Sequence, residues 1–186
     1  MKARFLVAAL LALQGCAPVA TTPSAKPPEL TPIDAAGDYT HAASGFAFPA
    51  ELGGFRRMSL FRRGPDARRI VAGYAAGPPE CLTSVTLFVD PADRSVEADY
   101  ARAKAEIQEA FGPATPDRED MIEKPSSRYA QYSLDDRRLE VIVQDAKPGW
   151  HVKQRVMYPV KCEDEVRMRV GVFLTVWESS QAARVR

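Results

Sequence analysis

Apolar and polar side chains alternate with a period of two along several stretches of this chain, and no other feature constrains its fold as much. In residues 82–90 (LTSVTLFVD), Val85, Leu87 and Val89 point one way, with Ser84, Thr86 and Phe88 between them. Leu139, Val141 and Val143 repeat the pattern, and Val166, Met168, Val170, Val172, Leu174 and Val176 sustain it through residues 166–177. Successive side chains of a strand leave on opposite faces, so this period predicts strands with one covered face, as in an antiparallel sheet. Val170 and Val172 are the expected core positions of the last strand. Further strands are expected at 45–49, 55–63, 69–76, 128–134 and 150–160. Turns rich in Gly, Pro and Asp separate them, such as Leu52-Gly53-Gly54, Asp135-Asp136-Arg137 and Lys147-Pro148-Gly149.

One stretch changes period. Val96, Tyr100, Ala103, Ile107 and Ala110 recur at helical spacing, predicting a helix over 96–111 capped by Asp93 or Ser95 and stopped by Gly112-Pro113. Arg102, Glu106 and Glu109 lie off that stripe. A short helical turn is expected over 117–124. The pattern as a whole is α+β: an antiparallel sheet of six to eight strands with one long helix packed on one face.

The first residues carry a different signal. Lys2 and Arg4 precede an unbroken apolar run, FLVAALLAL, from Phe5 to Leu13. A helix of that length rises about 14 Å, whereas a span needs roughly 20 apolar residues, so the run reads as the core of a signal peptide. Leu13-Gln14-Gly15-Cys16 resembles the lipobox of bacterial lipoproteins, departing from it at Gln14, where that family favours Ala or Ser. The resemblance implies cleavage before Cys16, diacylglycerol on its thiol and acylation of the new amine. Several acyl chains make a stable anchor where one holds only marginally. By resemblance to enteric lipoproteins, Ala17 after the cysteine implies sorting to the outer membrane, facing the periplasm. The expected division is a signal peptide over 1–15, a lipidated cysteine and Pro-rich tether over 16–36, and one globular domain over 37–186.

With Cys16 lipidated, Cys81 and Cys162 remain. An even pair in an oxidising compartment predicts a disulfide between them. Two isolated cysteines and the distant His41 and His151 lack metal-ligand spacing, so no metal or other cofactor is expected.

The chain holds 25 Lys and Arg against 24 Asp and Glu. Without Lys2 and Arg4 the balance turns slightly acidic, which gives a nucleic-acid partner no support. Basic residues nonetheless cluster. Arg56, Arg57, Arg62 and Arg63 lie on one expected strand, with Arg68 and Arg69 following. Lys153, Arg155, Arg167 and Arg169 share a face with Arg138 and Glu140 in a register that puts Glu140 opposite Arg155. Together they form a candidate patch for anionic lipid, peptidoglycan or an acidic envelope protein. The plainer reading is a solvated face with cross-strand ion pairs. No nucleophile elbow is present, so no catalytic residues are assigned. A cell-wall or lipid hydrolase would require His41 or His151 beside a serine or carboxylate in a cleft. Trp150, Trp177, Tyr158 and Phe173 could line an apolar groove for a small molecule or lipid.

Gly45-Phe46-Ala47-Phe48-Pro49, followed by Leu52-Gly53-Gly54-Phe55, resembles the opening of small PsbP-like and DcrB-like bacterial domains. That resemblance implies an antiparallel sheet with packed helices and a non-enzymatic accessory or binding role, and carries no binding residues over. The expected function is a non-catalytic, lipid-anchored envelope protein acting as an interaction module, with a small-molecule or lipid carrier as the alternative.

Overall fold

The computed structural model describes residues 29–65, 67–120 and 126–182. The signal segment, Cys16 and residues 17–28 of the tether lie outside the described residues.

Among the described residues, eleven strands and two α-helices follow in chain order: β1 (Leu30–Pro32), β2 (Tyr39–Thr40), β3 (Ala47–Phe48), β4 (Glu51–Leu52), β5 (Phe55–Arg63), β6 (Ile70–Ala76), β7 (Thr83–Pro91), α1 (Val96–Phe111), β8 (Arg118–Asp120), β9 (Ser127–Leu134), β10 (Arg137–Lys147), β11 (Trp150–Pro159) and α2 (Glu163–Ala182). Nine of the strands form one sheet in the order β1-β5-β6-β7-β11-β10-β9-β8, with β4 also on β5, while β2 and β3 pair separately. Every pairing is antiparallel. The fold is thus α+β, with a sheet one strand larger than the alternation predicts. β11 closes the molecule: after the excursion through α1 and β8–β10 it returns to lie beside β7.

The helices sit on opposite faces and cover different halves of the sheet. α1 begins where expected. Ser95 caps it by accepting from the Ala98 N–H at 3.2 Å, and Val96, Tyr100, Ala103 and Ile107 bury against Ala130, Tyr132, Leu139, Val141 and Val143 of β9 and β10. Ala110, the end of the expected stripe, is exposed. α2 covers the other face of the β5–β6–β7–β11 half. Val166, Val170, Phe173 and Trp177 meet Leu60, Ile70, Tyr74, Val85, Leu87 and Val156 there. Its close approach depends on Gly53, whose φ is +55° and where a Cβ would stand 2.9 Å from the Phe173 Cα.

Five expectations need correction. Residues 166–177 are the middle of α2, not a strand, and a second helix joins α1. Val166, Val170, Phe173 and Trp177 recur at helical spacing within that run, so a helical stripe fits it as well as a period of two. Three acidic residues, Glu163, Asp164 and Glu165, open the helix, where the dipole favours them. Val170 is buried, but Val172 is 50% exposed and so is not a core position. In the β10–β11 register, Val141 rather than Glu140 faces Arg155, and Glu140 faces Val156. Leu30–Pro32, assigned from sequence to the tether, pairs with the end of β5. Finally, Arg118–Asp120 is an edge strand where a helical turn was expected; residues 121–125 of that stretch lie outside the described residues.

Cys81, in a 3-10 turn before β7, and Cys162, entering α2, are joined as a disulfide with their Cα atoms 5.8 Å apart. No helix among the described residues is long and apolar enough to cross a membrane.

Candidate functional site

Residues opposed in a sheet register share a face, so the α1 side of the sheet can be read across the strands. Phe88 of β7 faces Lys153 of β11, and Thr86 faces Arg155. α1 covers β9 and β10 but stops short of β7, leaving a cleft along its flank. Arg63, Arg69, Asp90, Arg102, Glu106 and Lys153 are among the residues that line it.

Phe88 is the floor. The Lys153 Nζ stands 4.2 Å from its ring centroid, the Arg155 guanidinium carbon 5.1 Å and the Arg63 guanidinium carbon 5.9 Å. Three cations on one ring gain some cation–π attraction but repel one another. Glu106 reaches down from α1 to offset that. Its Oε2 accepts from Lys153 Nζ at 2.5 Å and from Arg155 at 2.6 Å, while its Oε1 lies 3.3 Å from Arg102. Burial alone would raise the Glu106 carboxyl, but Lys153, Arg155 and Arg63 outweigh it and hold it below the usual carboxylate range. Burial, with Arg155 and Arg63 beside it, pushes the Lys153 amine down to about 8 despite Glu106.

That shift carries a prediction. Unfolded, Lys153 titrates near 10.5; folded, near 8. Between those values the unfolded chain binds more protons, so stability rises with pH across the window. Below it the penalty is fully present and amounts to at most about 3 kcal/mol. Urea midpoints from pH 7 to 10 are expected to climb for the wild type relative to Lys153→Met; parallel curves would contradict the burial of a charged Lys153. Above pH 10 the stability of both chains falls, because burial raises Tyr74, Tyr100 and Tyr158 and each costs stability as its unfolded counterpart ionises.

His151 stands at one end of the cleft, 5% exposed. Its Nδ1 lies 2.7 Å from Asp99 of α1 and its Nε2 2.9 Å from Asp145 of β10. Both nitrogens are therefore taken, and the ring ties α1 and β10 to β11. His41 is used differently. Its Nε2 must donate to the Ala67 carbonyl at 2.9 Å, so its Nδ1 accepts from the Ser44 hydroxyl at 2.7 Å. This pair fastens the 41–45 turn to the one before β6. Each histidine thus has a serine or a carboxylate within hydrogen-bond reach; the His41–Ser44 contact is local to its turn, and the others hold one segment of chain to another. Among the described residues no group of three His, Cys, Asp or Glu side chains is arranged to hold a metal ion.

Of the basic residues singled out in the sequence, Arg63, Lys153 and Arg155 come together here. Arg57 does not: its guanidinium donates to the carbonyls of Ala35 at 2.5 Å, Gly37 at 2.6 Å and Phe48, locking the chain before β2. Arg56 and Arg62 are exposed along β5. Arg167 and Arg169 lie on α2, paired with Glu163 at 2.6 Å and with Glu165. The aromatic quartet forms no shared groove. Trp177, Tyr158 and Phe173 are core residues, and Trp150 packs edge-on against His41 at 5.8 Å. Arg102, Glu106 and Asp99, which complete the cleft, were not singled out from sequence as site residues. Their signal was available in the polar flank of an otherwise amphipathic helix.

Comparison of the chain with protein-family models, with curated proteins and with solved structures returns no match.

Proposed function

We propose that this chain is a lipid-anchored protein of the bacterial envelope, held through Cys16 to the outer membrane and facing the periplasm, that works by binding and offers the cleft beside α1 to an anionic group. The observation that carries the reading is the cluster of Arg63, Lys153 and Arg155 gathered round Phe88, with Glu106 as the carboxylate hydrogen-bonded to it. Gathering like charges in a half-buried place opposes folding, and an anionic ligand offsets the cost. His151, with both nitrogens engaged, braces this site. The Leu13–Cys16 lipobox supports the anchor, and the Cys81–Cys162 disulfide agrees with an oxidising compartment. An accessory role is also what the resemblance of residues 45–55 to PsbP-like and DcrB-like domains implies.

Two comparisons in cells test this. Labelled palmitate is expected in the wild-type chain and absent from Cys16→Ser; label in neither would remove the anchor. Crosslinking of wild type and Arg155→Gln should then yield an envelope component captured by the first and lost from the second. An unchanged capture pattern would remove the cleft as the binding surface.

A further inference from the structure

The charges round the cleft do not balance. Across the whole cleft, with Arg155 bonded to Glu106 and Asp145 bonded to His151, six cations meet five carboxylates. Round Phe88 three cations share one hydrogen-bonded carboxylate, Glu106, and two positive charges are in excess there. Hydrogen bonding is incomplete as well. The Nε groups of Arg63, Arg69 and Arg155 are buried without an acceptor, as is that of Arg138 outside the cleft. Arg63, whose side chain is 8% exposed, has its carboxylate neighbour Asp90 at 4.0 Å, beyond hydrogen-bond range. Native structures rarely leave such donors unmet, and each exception calls for a reason.

We infer that the floor made by Arg63, Lys153 and Arg155 over Phe88 binds a phosphoryl dianion, either free phosphate or the headgroup of a phosphorylated lipid. This rests on the cleft being an anion-binding site, as proposed above, and names its ligand. A planar carboxylate brings one charge, and Glu106 already supplies one. A phosphoryl group brings two charges and three terminal oxygens, each able to accept more than one hydrogen bond. That matches the charge excess, and guanidinium forks suit its geometry. A lipid source has further support. Phe88, Val71 and Phe61 stand in one row across β7, β6 and β5, each half-buried on this face of the sheet. They form an apolar path leading from the floor, suited to the non-polar part of a phospholipid.

The test is calorimetric titration of the full-length chain in neutral detergent micelles with inorganic phosphate, acetate and malonate, repeated in micelles doped with phosphatidic acid or phosphatidylcholine. Saturable one-to-one binding of phosphate is expected, with acetate and malonate at least roughly tenfold weaker. Arg63→Gln and Arg155→Gln should each weaken phosphate binding roughly tenfold or more. Glu106→Gln, which removes the competing carboxylate, should tighten it. Loss of the phosphate signal in phosphatidic acid but not phosphatidylcholine micelles would assign the headgroup; retention in both would assign free phosphate. Malonate bound as tightly as phosphate would overturn the phosphoryl assignment and leave the anion cleft standing. No saturable binding of any anion to the wild-type chain would overturn both. Because the anion series needs no variant, the result does not depend on how well the substituted chains fold.

Discussion

Replacing Trp177 with alanine is expected to destabilise the domain by about 3–5 kcal/mol, the range for deleting a large aromatic side chain from a core. Trp177 is 1% exposed. Its ring stacks on Phe46 with centroids 5.6 Å apart and planes within 7°. The indole N–H donates to the Ala47 carbonyl at 3.2 Å. One turn later Gln181 takes both polar groups of the same residue: its Oε1 accepts from the Ala47 N–H at 2.8 Å, and its Nε2 donates to the Ala47 carbonyl at 3.1 Å. The last turns of α2 therefore hold β3 by stacking and by hydrogen bonds together. Trp177→Phe keeps most of the stack and loses the N–H, for an expected cost of about 1–2 kcal/mol. Urea unfolding followed by far-ultraviolet circular dichroism measures both. A Trp177→Ala loss under 1 kcal/mol would mean that this end of α2 is not docked.

Val172→Asp supplies the contrast. Alternation of residues 166–177 as a strand makes Val172 a core position, and the substitution should then unfold the domain. On α2 it is half exposed, and an exposed helical substitution is expected to stay within roughly 1 kcal/mol. The same melting curves thus decide between helix and strand for this segment.

Why α1 was legible and α2 was not follows from their composition. In α1 polar residues fill the gaps between Val96, Tyr100, Ala103 and Ile107, so only one period fits, and Ser95 and Gly112 mark the ends. In α2, Val, Met, Phe, Leu and Trp crowd both faces, and periodicity alone does not separate helix from strand. The acidic triplet at Glu163–Glu165 was the available signal, but it also resembles a hairpin turn. Strands β5, β6, β7, β9, β10 and β11 were legible because turn residues bound each of them. Strand order was not, since it depends on long-range pairing. Yet the order makes the site: Lys153 and Arg155 meet Phe88 only because β11 returns beside β7, and Arg63 arrives from β5 at the far side of β6. Glu106 and Asp99 look like solvated helix residues until the sheet beneath α1 is known to extend past it.

The disulfide makes the second large contribution. Cys81 and Cys162 are 81 residues apart in sequence, and closing a loop of that size removes about 4.5 kcal/mol of unfolded-chain entropy in the chain-entropy model. The bridge joins the turn between β6 and β7 to the 3-10 turn that leads into α2, after an excursion through α1 and the whole β8–β11 half of the sheet. It therefore ties together the two halves whose junction, β7 on β11, carries the cationic floor. Cys162 is 6% exposed, packed with Val166 and Tyr158 in the core, so Ser at that position adds a buried hydroxyl to the lost cross-link. Reducing the native bridge avoids that complication. The urea midpoint is expected to fall in dithiothreitol by an amount equivalent to about 2–5 kcal/mol, with a steeper dependence on urea because the reduced unfolded chain exposes more surface. A Cys81→Ala, Cys162→Ala double variant should match the reduced wild type and be insensitive to dithiothreitol. If oxidised and reduced wild type unfold at the same midpoint, the bridge does not constrain the unfolded chain. Anion binding by the reduced protein at low urea then separates the two effects. Phosphate affinity should survive reduction, because neither Cys81 nor Cys162 lines the cleft, and should disappear only along the unfolding curve itself.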